Sequence, residues 1–250
     1  MIDRVIISAL LACSFAPLMG QTAAAPPIPS ADEVVARMLA HDLERETAAG
    51  GYTGNRQYVL KNHRLDKEAT MVVSVTCDPD GTKNFKVVSE EGWKLANNLV
   101  LRKMLESESE TSRMPERSRA SLTSDNYAFH LIAASPLDGR LAYVIDLIPK
   151  REDEYLIRGR IWVDAEDYAL ARVEGAPAKE PSIWLRSVHF AQEFRKIGEY
   201  WFPWSTTSIS EAQIFGKTEV DIHYFNYSPR SVMAAGDTDP QVAEARYVEH

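Results

Sequence analysis

The chain has 250 residues, 45% of them hydrophobic and 26% charged, an ordinary globular composition. A formal net charge of −8 argues against a nucleic-acid footprint, which calls for basic surface. Two cysteines, Cys13 and Cys77, leave no room for a disulfide framework once the first lies in a leader, so the fold must rest on its own core.

The first 25 residues read as an export signal. Arg4 gives the basic start, Val5 to Gly20 is an uncharged apolar run interrupted by Pro17, and Ala23 and Ala25 occupy the small-residue positions of a cleavage site. Leu10-Leu11-Ala12-Cys13 also resembles a lipobox, which would make Cys13 a lipid anchor; cleavage near Ala25 is preferred because apolar residues continue past Cys13. Pro26 to Ser30 is a spacer, 31–227 a single domain, and 228–250 a polar tail. No later apolar run is long enough for a membrane span.

Ser30 and Glu33 form a capping box that starts a helix over about Ala31–Ala48, with Val34, Val35, Met38, Leu39 and Leu43 on one face and Gly50-Gly51 as the stop. A strand begins at Gln57–Leu60. Residues 70–89 are a hairpin in which Met71, Val73, Val75 and Cys77 alternate, and Asp78-Pro79-Asp80-Gly81-Thr82 is the turn. A second helix fits 91–107, with Trp93, Ala96, Val100 and Met104 as its apolar stripe and Leu99 and Leu105 beside it. The polar stretch 106–126 reads as a loop with room for a short helix.

From Tyr127 the chain is a meander of strands: Tyr127 to Leu131, a turn at 135–139, Leu141 to Leu147, Tyr155 to Val163, a turn at 164–167, Tyr168 to Glu174, then Ser182 to Arg195, Tyr200 to Ser210 and Gln213 to Tyr227. Consecutive strands with tight turns favour antiparallel pairing, and strands this long curl, leaving a hollow face that two early helices can cover.

Motifs for catalysis are thin. Gly216-Lys217-Thr218 lacks the upstream glycine of a phosphate loop and sits in a strand. Ser124-Asp125-Asn126 lacks the partner motifs of the penicillin-binding serine enzymes and reads as a turn. Asp221 and His223 share a strand face without a third ligand, so no metal site is expected, and Asp78 and Asp80 do not fit a calcium loop. Arg151 to Glu154 reads as a solvated turn, and Cys77 as a small buried hydrophobe. No cofactor and no catalytic group are expected. The aromatic run Tyr200-Trp201-Phe202 is more informative. It puts large rings on both sides of one sheet, and one side then needs a helix, a partner or an apolar ligand.

Ile148-Pro149-Lys150, Tyr155 through Ile161-Trp162-Val163-Asp164, Leu170-Ala171-Arg172-Val173-Glu174, Tyr200-Trp201-Phe202-Pro203 and Phe215-Gly216-Lys217-Thr218-Glu219 together resemble the strand-and-turn pattern of LolA-like outer-membrane lipoprotein-sorting proteins. The resemblance implies a mainly β (α+β) fold, an incomplete antiparallel β-barrel with helices across its hollow, and a periplasmic carrier that buries acyl chains there. The lining candidates are Met71, Val73, Val75, Phe129, Leu131, Tyr143, Ile145, Trp184, Val188, Phe190, Val220, Ile222 and Tyr224, each taken singly also an ordinary core residue. Lipid or lipidated protein is the expected ligand. The alternatives are a periplasmic sensor on the same scaffold that docks to a membrane protein, and a hydrolase with an unrecognised site.

Overall fold

Ser30 opens the first helix as expected: its hydroxyl accepts from the Glu33 amide at 3.2 Å, and α1 runs Ala31–Ala49 until Gly50 ends it in the left-handed conformation. A computed structural model describes residues 28–113, 116–179, 185–212 and 216–230. The export signal, Cys13, Trp184 and the tail from residue 231 lie outside the described residues.

Three strands follow, β1 (Tyr52–Asn62), β2 (Lys67–Cys77) and β3 (Lys83–Gly92). The turn between the last two is closed by Asp78 and Thr82, with Gly81 at φ +85°. A helical stretch comes next: α2 (Lys94–Ala96), a π turn (Asn97–Leu101), α3 (Arg102–Thr111) and α4 (Glu116–Ala120). The meander is β4 (Tyr127–Leu137), β5 (Arg140–Pro149), β6 (Ile157–Asp164), β7 (Leu170–Pro177), β8 (Leu185–Ile197), β9 (Tyr200–Ala212) and β10 (Gly216–Pro229).

Among the described residues these strands form one sheet in the order β3-β2-β1-β10-β9-β8-β7-β6-β5-β4. Every pairing in it is antiparallel. β10 returns beside β1, so the first and last strands are neighbours inside the sheet and its edges are β3 and β4, which do not pair with each other. The expected incomplete antiparallel barrel is therefore the observed architecture.

Register places both helical covers on one face. Ile145, Ile161, Val173, Gln192, Thr206, Ile222, Tyr58 and Met71 are paired in one row across eight strands and share a side. At one end of the row α1 packs Val34, Val35 and Met38 against Tyr127, Ile145, Ile161 and Val173. At the other end Ala96, Leu101 and Leu105 pack against Tyr58, Met71, Val73 and Ile222. The fold thus has two apolar cores under one sheet.

Three expectations change. In the second helix the buried positions are Ala96, Asn97, Leu101 and Leu105, while Leu99 and Val100 face solvent. The π turn adds a residue to the helical repeat and rotates the predicted stripe out of register. Leu43, expected on the buried face of α1, is 66% exposed, because the last buried contact with the sheet before Ala49 is at Met38. Asp153, expected in a solvated turn, is buried. It accepts from Arg119 at 3.1 Å and Arg151 at 3.3 Å and fastens α4 to the β5–β6 connection.

Candidate functional site

The two cores do not meet. Of the described residues in the intervening strands β8 and β9, only Phe202 is buried. At the sheet end where β8 passes into β9 this gap becomes a cavity of about 410 Å³, within the usual range for small-molecule pockets. Its apolar wall comes from Tyr52, Leu170, Phe194, Tyr200 and Phe202, and its rim from Asp42, Arg45 and Glu46 on α1 and Arg117 on α4. The wall is packed ring on ring: Phe202 stacks on Tyr227 at 4.2 Å between centroids, and Tyr52 meets Phe202 edge-on at 5.4 Å.

Two ion-pair groups hold the covers over this space. Arg117 donates to both carboxylate oxygens of Glu46, at 2.8 and 2.6 Å, and to the Asp80 carbonyl at 2.9 Å, joining α4, α1 and the β2–β3 turn across the mouth. Deeper in, Arg56 is only 3% exposed and donates to Glu108 of α3 at 2.6 and 3.0 Å. Lys83 donates to the same carboxylate at 2.9 Å. The Arg56 guanidinium also lies 4.8 Å from the Tyr224 ring centroid and 5.1 Å from that of Phe85. Burial pushes the Glu108 carboxyl up, but Lys83 and Arg56 outweigh it and hold it at about 2. Burial first, with smaller contributions from Glu46 and Asp78, pushes the thiol of the cavity-lining Cys77 up against the opposing Lys83 and Arg117, which favours the neutral thiol.

A third polar group lies in the floor. Tyr224 hydroxyl accepts from Gln192 Nε2 at 3.2 Å and shares a hydrogen bond with Thr206 at 3.0 Å. Among the described residues no cluster of histidine, cysteine and carboxylate side chains could hold a metal. Gly216-Lys217-Thr218 lies in β10, where its backbone pairs with β9. Asn126 is buried and bonded to Ser118, Ser121 and Arg151, which makes the Ser-Asp-Asn tripeptide a structural turn.

The lining candidates fall in three places. Met71, Val73, Val75, Val220, Ile222 and Tyr224 are in the core beneath α2 to α3. Phe129 and Ile145 are in the core beneath α1, with Leu131, Tyr143 and Phe190 packed at its margin. Val188, and Phe190 beside the core beneath α1, lie on the uncovered strand β8, partly buried. None of the described candidates lines the 410 Å³ cavity. Of its own aromatic residues, Tyr200 and Phe202 belong to the aromatic run noted in the sequence and Phe194 follows the alternation of Val188 and Phe190, but none was among the lining candidates, and neither Tyr52 nor the Arg56–Glu108–Lys83 group was singled out. A signal for Arg56 existed: carrying the Tyr58 and Leu60 period back along β1 turns Arg56 inward.

No family model matches the sequence, and no curated protein matches it. Solved structures do. An outer membrane lipoprotein-sorting protein domain from Vibrio parahaemolyticus is 13% identical, with 85% of this chain and 95% of that one covered and a TM-score of 0.41. The chain is similar to a LolA superfamily protein. That protein, from Nitrosomonas europaea, is 10% identical, with 82% and 97% covered and a TM-score of 0.43. MucB, in its complex with MucA from Pseudomonas aeruginosa, is 11% identical, with 78% and 93% covered and a TM-score of 0.27. At these identities the likeness is one of fold.

Proposed function

We propose that this protein is a periplasmic binding protein that carries lipid or lipidated protein by burying an acyl chain, without covalent chemistry, between its two helical covers. The observation that carries this reading is the cavity. Two cores flank it, and the aromatic residues Phe194, Tyr200 and Phe202 line it, with Asp42, Arg45, Glu46 and Arg117 at the rim and the mutually paired Lys83 and Glu108 deeper in. Each methylene moved from water into such a space contributes about 0.8 kcal/mol, so a chain of ordinary length supplies micromolar or better affinity after ordering costs. Release needs only the covers to part, and no step calls for an acid, base or nucleophile.

Displacement of a fluorescent fatty acid from the purified chain tests this. Wild type is expected to bind saturably, and Ala49→Trp, which fills the cavity from the end of α1, is expected to weaken binding at least tenfold with helix content preserved by circular dichroism. Absence of saturable binding, or full affinity in the filled variant, would refute it.

A second reading, a regulatory protein that docks to an envelope membrane protein, draws on the apolar outer side of α2 and the π turn, where Leu95, Leu99 and Val100 are exposed. Leu95→Asp with Leu99→Asp would abolish capture of such a partner while leaving acyl binding intact.

A further inference from the structure

The floor of the gap has a polar pattern that a hydrocarbon carrier does not need. On the helix-covered face of β9 the side chains after Phe202 are Thr206, Ser208 and Ser210, all partly buried. Their neighbours in register on β10 are Ile222, Val220 and Thr218, and on β8 Gln192, Phe190 and Val188. Ile222 and Val220 are buried apolar residues of one core, and Phe190 lies at the margin of the other. A line of hydroxyls therefore runs along a single strand between two apolar cores.

The stripe is continuous with the cavity. Phe194 lines the cavity, and Gln192, Phe190 and Val188 follow it along β8 on the same face. Six residues of strand span roughly 20 Å, the length of a long acyl chain laid out straight. A ligand entering beside Phe194 and Phe202 and following the strands would lie first over Gln192 and Thr206, then over Phe190 and Ser208, then over Val188 and Ser210. The polar groups are arranged to interact with it. Tyr224 hydroxyl holds Gln192 by its amide nitrogen, which leaves the Gln192 amide oxygen as a free acceptor among the described residues. A plain alkyl chain would strip water from that oxygen and from Ser208 and return no hydrogen bond, whereas a chain that carries its own hydroxyl would replace the lost water.

We propose that Gln192, Thr206 and Ser208 select ligands with a hydroxyl part-way along the apolar chain, so that the ligand class is hydroxylated acyl chains. This rests on the acyl-binding reading above and narrows it. Selection by one hydrogen-bonding group in an otherwise apolar groove is a preference of about tenfold.

The test is displacement of a fluorescent fatty acid from the full chain by octadecanoate and by its mono-hydroxylated positional isomers. At least one isomer is expected to bind about tenfold tighter than octadecanoate, and that ratio should fall close to one in Thr206→Val combined with Ser208→Ala, and part of the way in Ser208→Ala alone. If every isomer binds as octadecanoate does, or if the ratio survives in the double variant, the stripe is a solvated floor only and the selection is refuted, with acyl binding still standing. If neither octadecanoate nor any isomer displaces the probe, acyl binding itself fails and the selection with it.

Discussion

Replacing Glu108 with glutamine tests whether the buried charge group fastens the second helical cover. The carboxylate takes two hydrogen bonds from Arg56 and one from Lys83. Glutamine keeps the shape and one acceptor oxygen but leaves two cations against a neutral group, and the Arg56 side chain is 3% exposed. Breaking a buried pair from one side costs about 3–5 kcal/mol; with the Glu108 side chain 33% exposed and an acceptor retained, about 2–3 kcal/mol is expected. In a protein of this size that lowers the thermal midpoint by about 6 °C. The pH dependence gives an independent reading. Glu108 is held at about 2 against an ordinary 4.5. A carboxylate depressed in the folded state contributes stability that is complete above its unfolded value and is lost as pH falls through its folded value. Wild type should therefore lose about 2 kcal/mol more than Glu108→Gln between pH 5 and pH 2, after allowance for solvent screening. Urea unfolding followed by tryptophan fluorescence at pH 7 and at acid pH measures both quantities. A variant within 0.5 kcal/mol of wild type at pH 7, or one with an unchanged acid limb, would show that α3 is held by its apolar contacts alone.

Gly159→Ala should cost about 2 kcal/mol or more, because an added Cβ would lie 2.0 Å from the Glu174 carbonyl oxygen. Gly139→Ala, where nothing lies within 4 Å and only φ +81° opposes it, should cost about 1 kcal/mol in the same denaturation assay. Asp153→Asn should destabilise by about 1–2 kcal/mol, since burial there is offset by bonds from Tyr155, Arg119 and Arg151, whereas Glu152→Gln on the exposed side of the same turn should change nothing measurable. Met38→Ala and Leu101→Ala, one from each core, should each cost about 2–5 kcal/mol and add to within about 0.5 kcal/mol in the double variant. Strong coupling between them would mean that the cores are not separate.

Much of the architecture was written locally. The Ser30 cap, the Gly50 stop, the Asp78–Thr82 turn and the alternation of Met71, Val73 and Val75 each set their element by short-range chemistry. What escaped depends on distant partners. The π turn at Asn97–Leu101 alters which residues of a helix face inward, and nothing in the spacing of Ala96, Val100 and Met104 announces it. Asp153 reads as a turn residue until α4 brings Arg119 to it across 34 positions. The lining candidates suffered from a related ambiguity. Alternation identifies the inward face of a strand, but it cannot say whether a helix covers that stretch. Met71, Ile145 and Ile222 are inward and covered, whereas Phe190 and Val188 are inward and not. The cavity lies where α1 and α3 end, which the alternation of apolar residues along the strands does not show.

The gap between the covers follows from β9. A sheet face closes into one core when each strand offers apolar side chains to its neighbours, as β1, β2 and β10 do with Leu60, Met71 and Val220. β9 offers Thr206, Ser208 and Ser210 instead; Thr206 and Ser210 are bonded within the sheet, to the Tyr224 hydroxyl and the Thr218 carbonyl, but an apolar helix laid over the row would strip water from its polar groups and return no hydrogen bond. Neither α1 nor α3 gains by extending over it, so each stops at its own side, and α1 turns charged residues, Asp42, Arg45 and Glu46, toward the opening. The same polar strand therefore keeps the two cores apart, leaves Phe194 and Phe202 facing open space, and sets hydrogen-bonding groups along the path a bound chain would take. Changing Thr206 and Ser208 to apolar residues would accordingly alter ligand choice and also favour closure of the covers, which is why the proposed measurement is a ratio between two ligands in one variant, a quantity that closure alone leaves unchanged.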